Sequence, residues 1–194
     1  MCNKKTENLI YMIMDSLECV PTVKLAKLMY YCDFEHYAEH RKSITNSKYL
    51  HLAFGPCPAD FEETIAHLKR INTVGVEERM YNKVRTYKVY KAEVKPDLTV
   101  FTHKELETIN GVIKRYGKMS GEKLAQKTHG ELPWKATKAY DEIPYAFALY
   151  MYDEPLGEEP EDKFLANNPL LHEVVRIMKK KIASGETKKW KVVN

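Results

Sequence analysis

Several signatures of function are missing from this chain, and each absence removes a class. No two of its 4 cysteines form a CxxC pair, so neither a zinc knuckle nor a dithiol redox motif is written here. Cys2, Cys19, Cys32 and Cys57 read as reduced thiols, with Cys19 and Cys32 as small apolar helix residues. The 8 glycines never fall into GxGxxG, nor into GxxxxGK followed by Ser or Thr, which excludes the common phosphate-cradling loops. A Gly-x-Ser-x-Gly elbow is also lacking. Apolar runs are short, such as residues 146–151, whereas a membrane-spanning helix needs about 20. The first residues carry no apolar core or small-residue cleavage site. A cytoplasmic, non-membrane protein is therefore expected. A net charge of +4 on 194 residues permits nucleic-acid contact without arguing for it.

The 7 histidines raise metal and acid–base chemistry, and their spacing answers it. His36 and His40 stand four apart, but the zinc-protease pattern needs glutamate directly after the first histidine, where Tyr37 stands. Asp33 and Glu35, two apart on a helix, face different ways. His129, beside Gly130 and Glu131, has no nucleophile to serve. The sequence thus assigns no catalytic residue, no metal ligand and no cofactor.

What is present is a pattern of helices with a little sheet. Leu9, Met12 and Ile13 mark a first helix that Thr6 can cap. Pro21 suits the first turn of a second, striped by Leu25, Leu28, Met29 and Cys32. Leu50, Leu52 and Phe54 alternate as one face of a strand, which Gly55-Pro56 breaks. Pro58 opens a helix carrying Phe61, Ile65 and Leu68. Residues 74–81 and 84–94 read as a hairpin turning at Asn82-Lys83, and with the earlier strand they predict a three-stranded antiparallel sheet. Thr102 and Glu105 form a capping box ahead of Leu106, Ile109, Val112 and Ile113, a helix that Gly117 ends. Ser120 caps a shorter helix with Leu124 and Ala125, closed by Gly130 and Pro133. The fold class expected is α+β, mainly α, with helices packed around a small three-stranded antiparallel sheet and a C-terminal helical extension. Residues 1–152 form the domain. Residues 153–194 comprise an acidic linker with six acids and two prolines over 153–162, a helix near 168–183, and a basic tail.

Tyr30, Tyr31, Asp33 and His36 cannot all point inward together with the leucine stripe of their helix. Some must reach a surface, where tyrosine and histidine at the edge of an apolar face make recognition residues. The other reading is a hydroxyl and imidazole satisfied inside the fold.

These residues also carry a resemblance. The run Lys24-Leu25-Ala26-Lys27-Leu28-Met29-Tyr30-Tyr31-Cys32-Asp33-Phe34-Glu35-His36-Tyr37 resembles the opening signature of the Panacea domain, the antitoxin-associated family with SocA-like and phage-associated GepA-like members. Arg41-Lys42-Ser43-Ile44-Thr45 with Tyr49, then Phe54-Gly55-Pro56-Cys57-Pro58, are similar to its loop into the first strand and its Gly-Pro turn. Residues 101–106 and 116–120, then Thr128-His129 and Pro133-Trp134, resemble its second half in the same order. The resemblance spans about residues 6–152 and implies an antitoxin that binds and neutralises a cognate protein toxin, with delivery to an ATP-dependent protease as a variant. Partner contacts are expected at Tyr30, Tyr31, Asp33, His36, Tyr49, Gly55 and Pro56, with helix and turn forming one exposed patch. Some members of the family add an N-terminal DNA-binding domain. Only about twenty residues precede the signature here, which argues against direct autoregulation.

Nucleic-acid binding is the second reading. It rests on a winged-helix-like order of elements and on the basic cluster Arg176, Lys179, Lys180, Lys181, Lys188, Lys189 and Lys191 around Trp190. The oligomeric state is not written in the sequence.

Overall fold

The computed structural model describes residues 3–81 and 85–151. Helix α1, Lys4–Leu17, runs into a two-residue strand β1, Val20–Pro21, and then into α2, Thr22–His40. Asn3, not Thr6, caps α1. Its side chain accepts from Lys5 N at 3.0 Å, while Thr6 is buried in the first turn. Every residue of α2 from Leu25 to His36 is buried, so this stretch of the helix has no solvent face. A helix covered all round is a core helix, and amphipathic spacing along it does not report orientation.

Its neighbours are α1, α4 (His103–Tyr116), α5 (Gly121–Gly130), β3 (Gly55–Pro58) and a 3-10 segment, Tyr145–Tyr150. Polar bonds lock the helices together. Lys5 meets Glu105 at 2.6 Å between α1 and α4, and Glu35 on α2 meets Arg115 at 3.1 Å on α4. The capping box of α4 forms as the sequence predicts, and Ser120 caps α5. Gly117 is the C-cap of α4, in right-handed backbone.

The sheet is three-stranded and antiparallel, in a mainly helical fold, and its membership differs from the expectation. Strands β4, Val74–Tyr81, and β5, Arg85–Ala92, pair without a break from Val74↔Ala92 to Tyr81↔Arg85, and the third strand is β1, with Val20 opposite Tyr90. Strand β2, Tyr49–Leu52, pairs instead with β3 in a separate two-stranded ribbon. Pro58 ends β3, and α3 begins at Phe61 and runs to Arg70, with Phe61, Ile65 and Leu68 buried as expected. Helix α6, Leu132–Lys135, follows α5 directly. The expected Asn82-Lys83 turn and all that was read into 153–194 lie outside the described residues. Among the described residues no helix is long and apolar enough to cross a membrane.

Candidate recognition site

The polar residues of α2 are drawn inward by three sets of partners. The Asp33 carboxylate, fully buried, accepts from Ile44 N and Thr45 N at 2.8 Å each and from Tyr49 OH at 2.7 Å. It pins the loop between α2 and β2. Burial pushes its carboxyl up in pKa, against the pull of the Thr45, Tyr49 and Ile44 hydrogen bonds.

The second set centres on Glu131, at the junction of α5 and α6. Tyr31 OH donates to it at 2.9 Å, Lys127 at 3.0 Å and Tyr30 OH at 3.4 Å. Burial raises the Glu131 carboxyl, with Lys127 opposing. Tyr31 also stacks on Tyr116, centroids 4.3 Å apart.

The third set joins α2 to the Gly-Pro turn. Buried Lys27 donates to the Pro56 carbonyl at 2.6 Å, and burial holds its ammonium down at about 8, the Cys57 thiol opposing. Gly55 has φ +88, and a Cβ there would stand 2.5 Å from Thr128 Oγ1 and 2.9 Å from Lys27 Cε. Glycine is demanded twice over, by backbone conformation and by space. Beyond it the Trp134 ring is clasped by two imidazoles, His51 at 4.1 Å and His129 at 4.2 Å. Trp134 Nε1 donates to Leu52 O at 3.4 Å. Burial, then Lys27 and His51, holds the His129 imidazole below its ordinary range, and its Nε2 is buried without a hydrogen-bond partner among the described residues.

Of the seven expected contact residues, Tyr30 and Asp33 meet Tyr49, and the Gly55-Pro56 turn lies against α2 through Lys27, whereas His36 turns to Thr108 on α4; none of them forms a surface. Tyr30, Tyr31 and Asp33 are 0% exposed, Tyr49 1% and His36 4%. Gly55 and Pro56 are buried as well. The expectation of an exposed patch is corrected on this point. Each polar atom found a partner inside, and a buried hydroxyl or carboxylate with partners has no reason to face water. His36 bonds Thr108 Oγ1 at 2.9 Å, with the His40 ring 4.5 Å away. Among the described residues no group of three or more His, Cys, Asp and Glu could hold a metal ion. Cys19, Cys32 and Cys57 are free.

What is exposed beside the turn was missed. Strand β2 buries Tyr49 and His51 and leaves Leu50 and Leu52 half-buried, so its alternation is one residue out of phase with the apolar pattern. Phe54, in the two-residue turn between Leu52 and Gly55, is 69% exposed. Tyr140 is 80% exposed and holds φ +70, a conformation unusual for a bulky residue. Its N–H donates to His51 O at 2.8 Å, placing it beside the same strand end. The Gly-Pro motif could have pointed to Phe54, because a tight turn exposes the residue before it. Nothing local marks Tyr140.

Residues 25–135, more than half of the chain, match the family described as antitoxin SocA-like, Panacea domain. No curated protein and no solved structure matches the chain.

Proposed function

We propose that this chain, which belongs to the SocA-like antitoxin, Panacea domain family, binds and neutralises a protein toxin by direct contact. Family membership carries the reading, because the match covers α2 to α6 and so the three polar sets around α2. Those sets suit a rigid binding scaffold. Their carboxylates and hydroxyls hold one another and the backbone. In this reading Tyr30, Tyr31, Asp33, His36, Tyr49, Gly55 and Pro56 are positioning residues, which fix the β2–β3 turn and the segment after α6 so that other side chains meet the partner. A preorganised surface of this kind lowers the ordering cost of association.

The test is co-expression with the product of the adjacent reading frame. The expected result is that the neighbour arrests growth alone, that growth returns with this chain, and that the two co-purify. A harmless neighbour, or one that stays toxic with no complex formed, sinks the reading.

A further inference from the structure

We infer that the outer edge of β4 is where two copies of this chain join, paired antiparallel about a twofold axis at Glu78, with Glu77 of each copy facing Arg79 of the other. The inference concerns assembly of the chain with itself and does not depend on the antitoxin reading.

The edge is open and it projects. Among the described residues β4 pairs with β5 alone, while β5 also carries β1. Where the strands meet the body, Val74, Val89 and Tyr90 are buried. Farther out, residues 77–80 and, across from them, 85–88 are all exposed, with Met80 at 66%. A two-stranded ribbon with both faces in water is marginal by itself and gains from a further strand.

The backbone fixes which groups are on offer. Glu93 N–H donates to Thr73 O at 2.9 Å, one step before the pair Val74↔Ala92. In an antiparallel ladder bonded and non-bonded pairs alternate, so the odd-numbered residues of β4 turn N–H and C=O towards β5. Val76, Glu78 and Met80 turn theirs outward. A second copy run antiparallel about Glu78 sets Val76 against Met80, Glu78 against Glu78, and Met80 against Val76. Each of these outward-facing pairs can exchange two backbone bonds. Glu77 and Arg79 then fall opposite each other in the non-bonded positions, where Cα atoms approach to about 4.5 Å and side chains are closest.

Charge selects this occupant and this register. Within one chain Arg79 meets Glu77 at 3.1 Å, with side chains 46% and 61% exposed. The same guanidinium lies 3.2 Å from Cys19 Sγ, a weak acceptor that a second carboxylate replaces. Twofold pairing closes the ion pairs of the two copies into a ring of alternating sign, and opposite charges across strands are favourable. On the other face Met80 of one copy covers Val76 of the other. The two central Glu78 carboxylates are each flanked by Lys88, which stands directly opposite Glu78 on β5. Moving the axis to Glu77 sets two carboxylates face to face with Val89 behind them, and moving it to Arg79 sets two guanidiniums face to face with Tyr87 behind them. Charges that guard a sheet edge repel a second copy. These attract one, in a single register. The pairing occupies the β4 edge of both copies, so it closes as a dimer.

The experiment is sedimentation of the full chain across a concentration series, where the wild type should form a concentration-dependent dimer. Glu77→Arg and Arg79→Glu each set like charges opposite one another, and each should weaken that dimer about tenfold or more. Mixed in equal amounts, the two variants should dimerise again, because the arginines of the first then face the glutamates of the second. Recovery on mixing also shows that both are folded. The double variant, Glu77→Arg with Arg79→Glu, should dimerise alone. Lys114→Glu, which reverses an exposed charge on α4, should match the wild type, and an equal loss there overturns the inference. A wild type that stays monomeric up to about 1 mM overturns it and leaves the edge to a strand of another protein. A dimer that persists unchanged in both single variants has its interface elsewhere and overturns it too, as do single variants that stay monomeric when mixed.

Discussion

Lys27, 2% exposed in the first half of α2, donates its ammonium across 2.6 Å to the backbone carbonyl of Pro56, 29 residues later. One buried cation thus holds the turn to the core helix. Burial holds it down at about 8 from 10.5, so between those values the unfolded chain carries more protons than the folded one. Stability must rise with pH across that window. Cys57 opposes from pH 9.0, because burial pushes its thiol up to about 11 and the unfolded thiol ionises first. The expected profile gains about 1 kcal/mol between pH 8 and 9 and flattens above it. Urea titrations at stepped pH should show that gain in the wild type and not in Lys27→Met.

Gly55→Ala should lower stability by more than about 1 kcal/mol, since it adds left-handed strain to a 2.5 Å approach to Thr128. Gly130 is the control. It ends α5 with nothing within 4 Å of an added Cβ, so Gly130→Ala should be neutral or stabilising by up to about 1 kcal/mol. Equal losses in both variants would show that the close packing of Gly55 is unimportant.

Tyr49→Phe deletes a 2.7 Å donor to the fully buried Asp33 carboxylate. A hydrogen bond to a buried charge is worth about 1.5–3 kcal/mol, and that loss should appear as a lower denaturation midpoint with unchanged slope. Tyr87→Phe, at a ring 39% exposed on the hairpin, should stay within about 0.5 kcal/mol of wild type. A neutral Tyr49→Phe would mean that the loop after α2 is held by something other than Asp33.

Tyr140→Gly should raise stability by about 1 kcal/mol by relieving the φ +70 backbone, while Tyr140→Ala, still strained, should not. Differential scanning calorimetry separates them. A destabilised glycine variant would show that the tyrosine ring packs usefully against its neighbours despite its exposure.

Local chemistry alone determined the start of α4, where Thr102 and Glu105 bond each other's backbone, the cap of α5 at Ser120, and the β4–β5 hairpin. Those signals span a few residues and depend on nothing distant. The stripe Leu25, Leu28, Met29 likewise marked a helix, and all three side chains are buried. Only the tertiary structure decided that the opposite face is buried too. Spacing along a helix reports which residues share a face, not what covers the others, and the cover comes from α4, α5 and the β2–β3 ribbon. That is why Tyr31 and Asp33 could be read as surface residues until Glu131, 100 residues from Tyr31, and Thr45 appeared as their partners. The same reason governs β2. Its leucines set an apolar phase, but Asp33 and Trp134 draw Tyr49 and His51 inward, and a period of two leaves the chain no intermediate choice. Phe54 and Tyr140 were left outside by those long-range bonds, which no window of neighbouring residues contains.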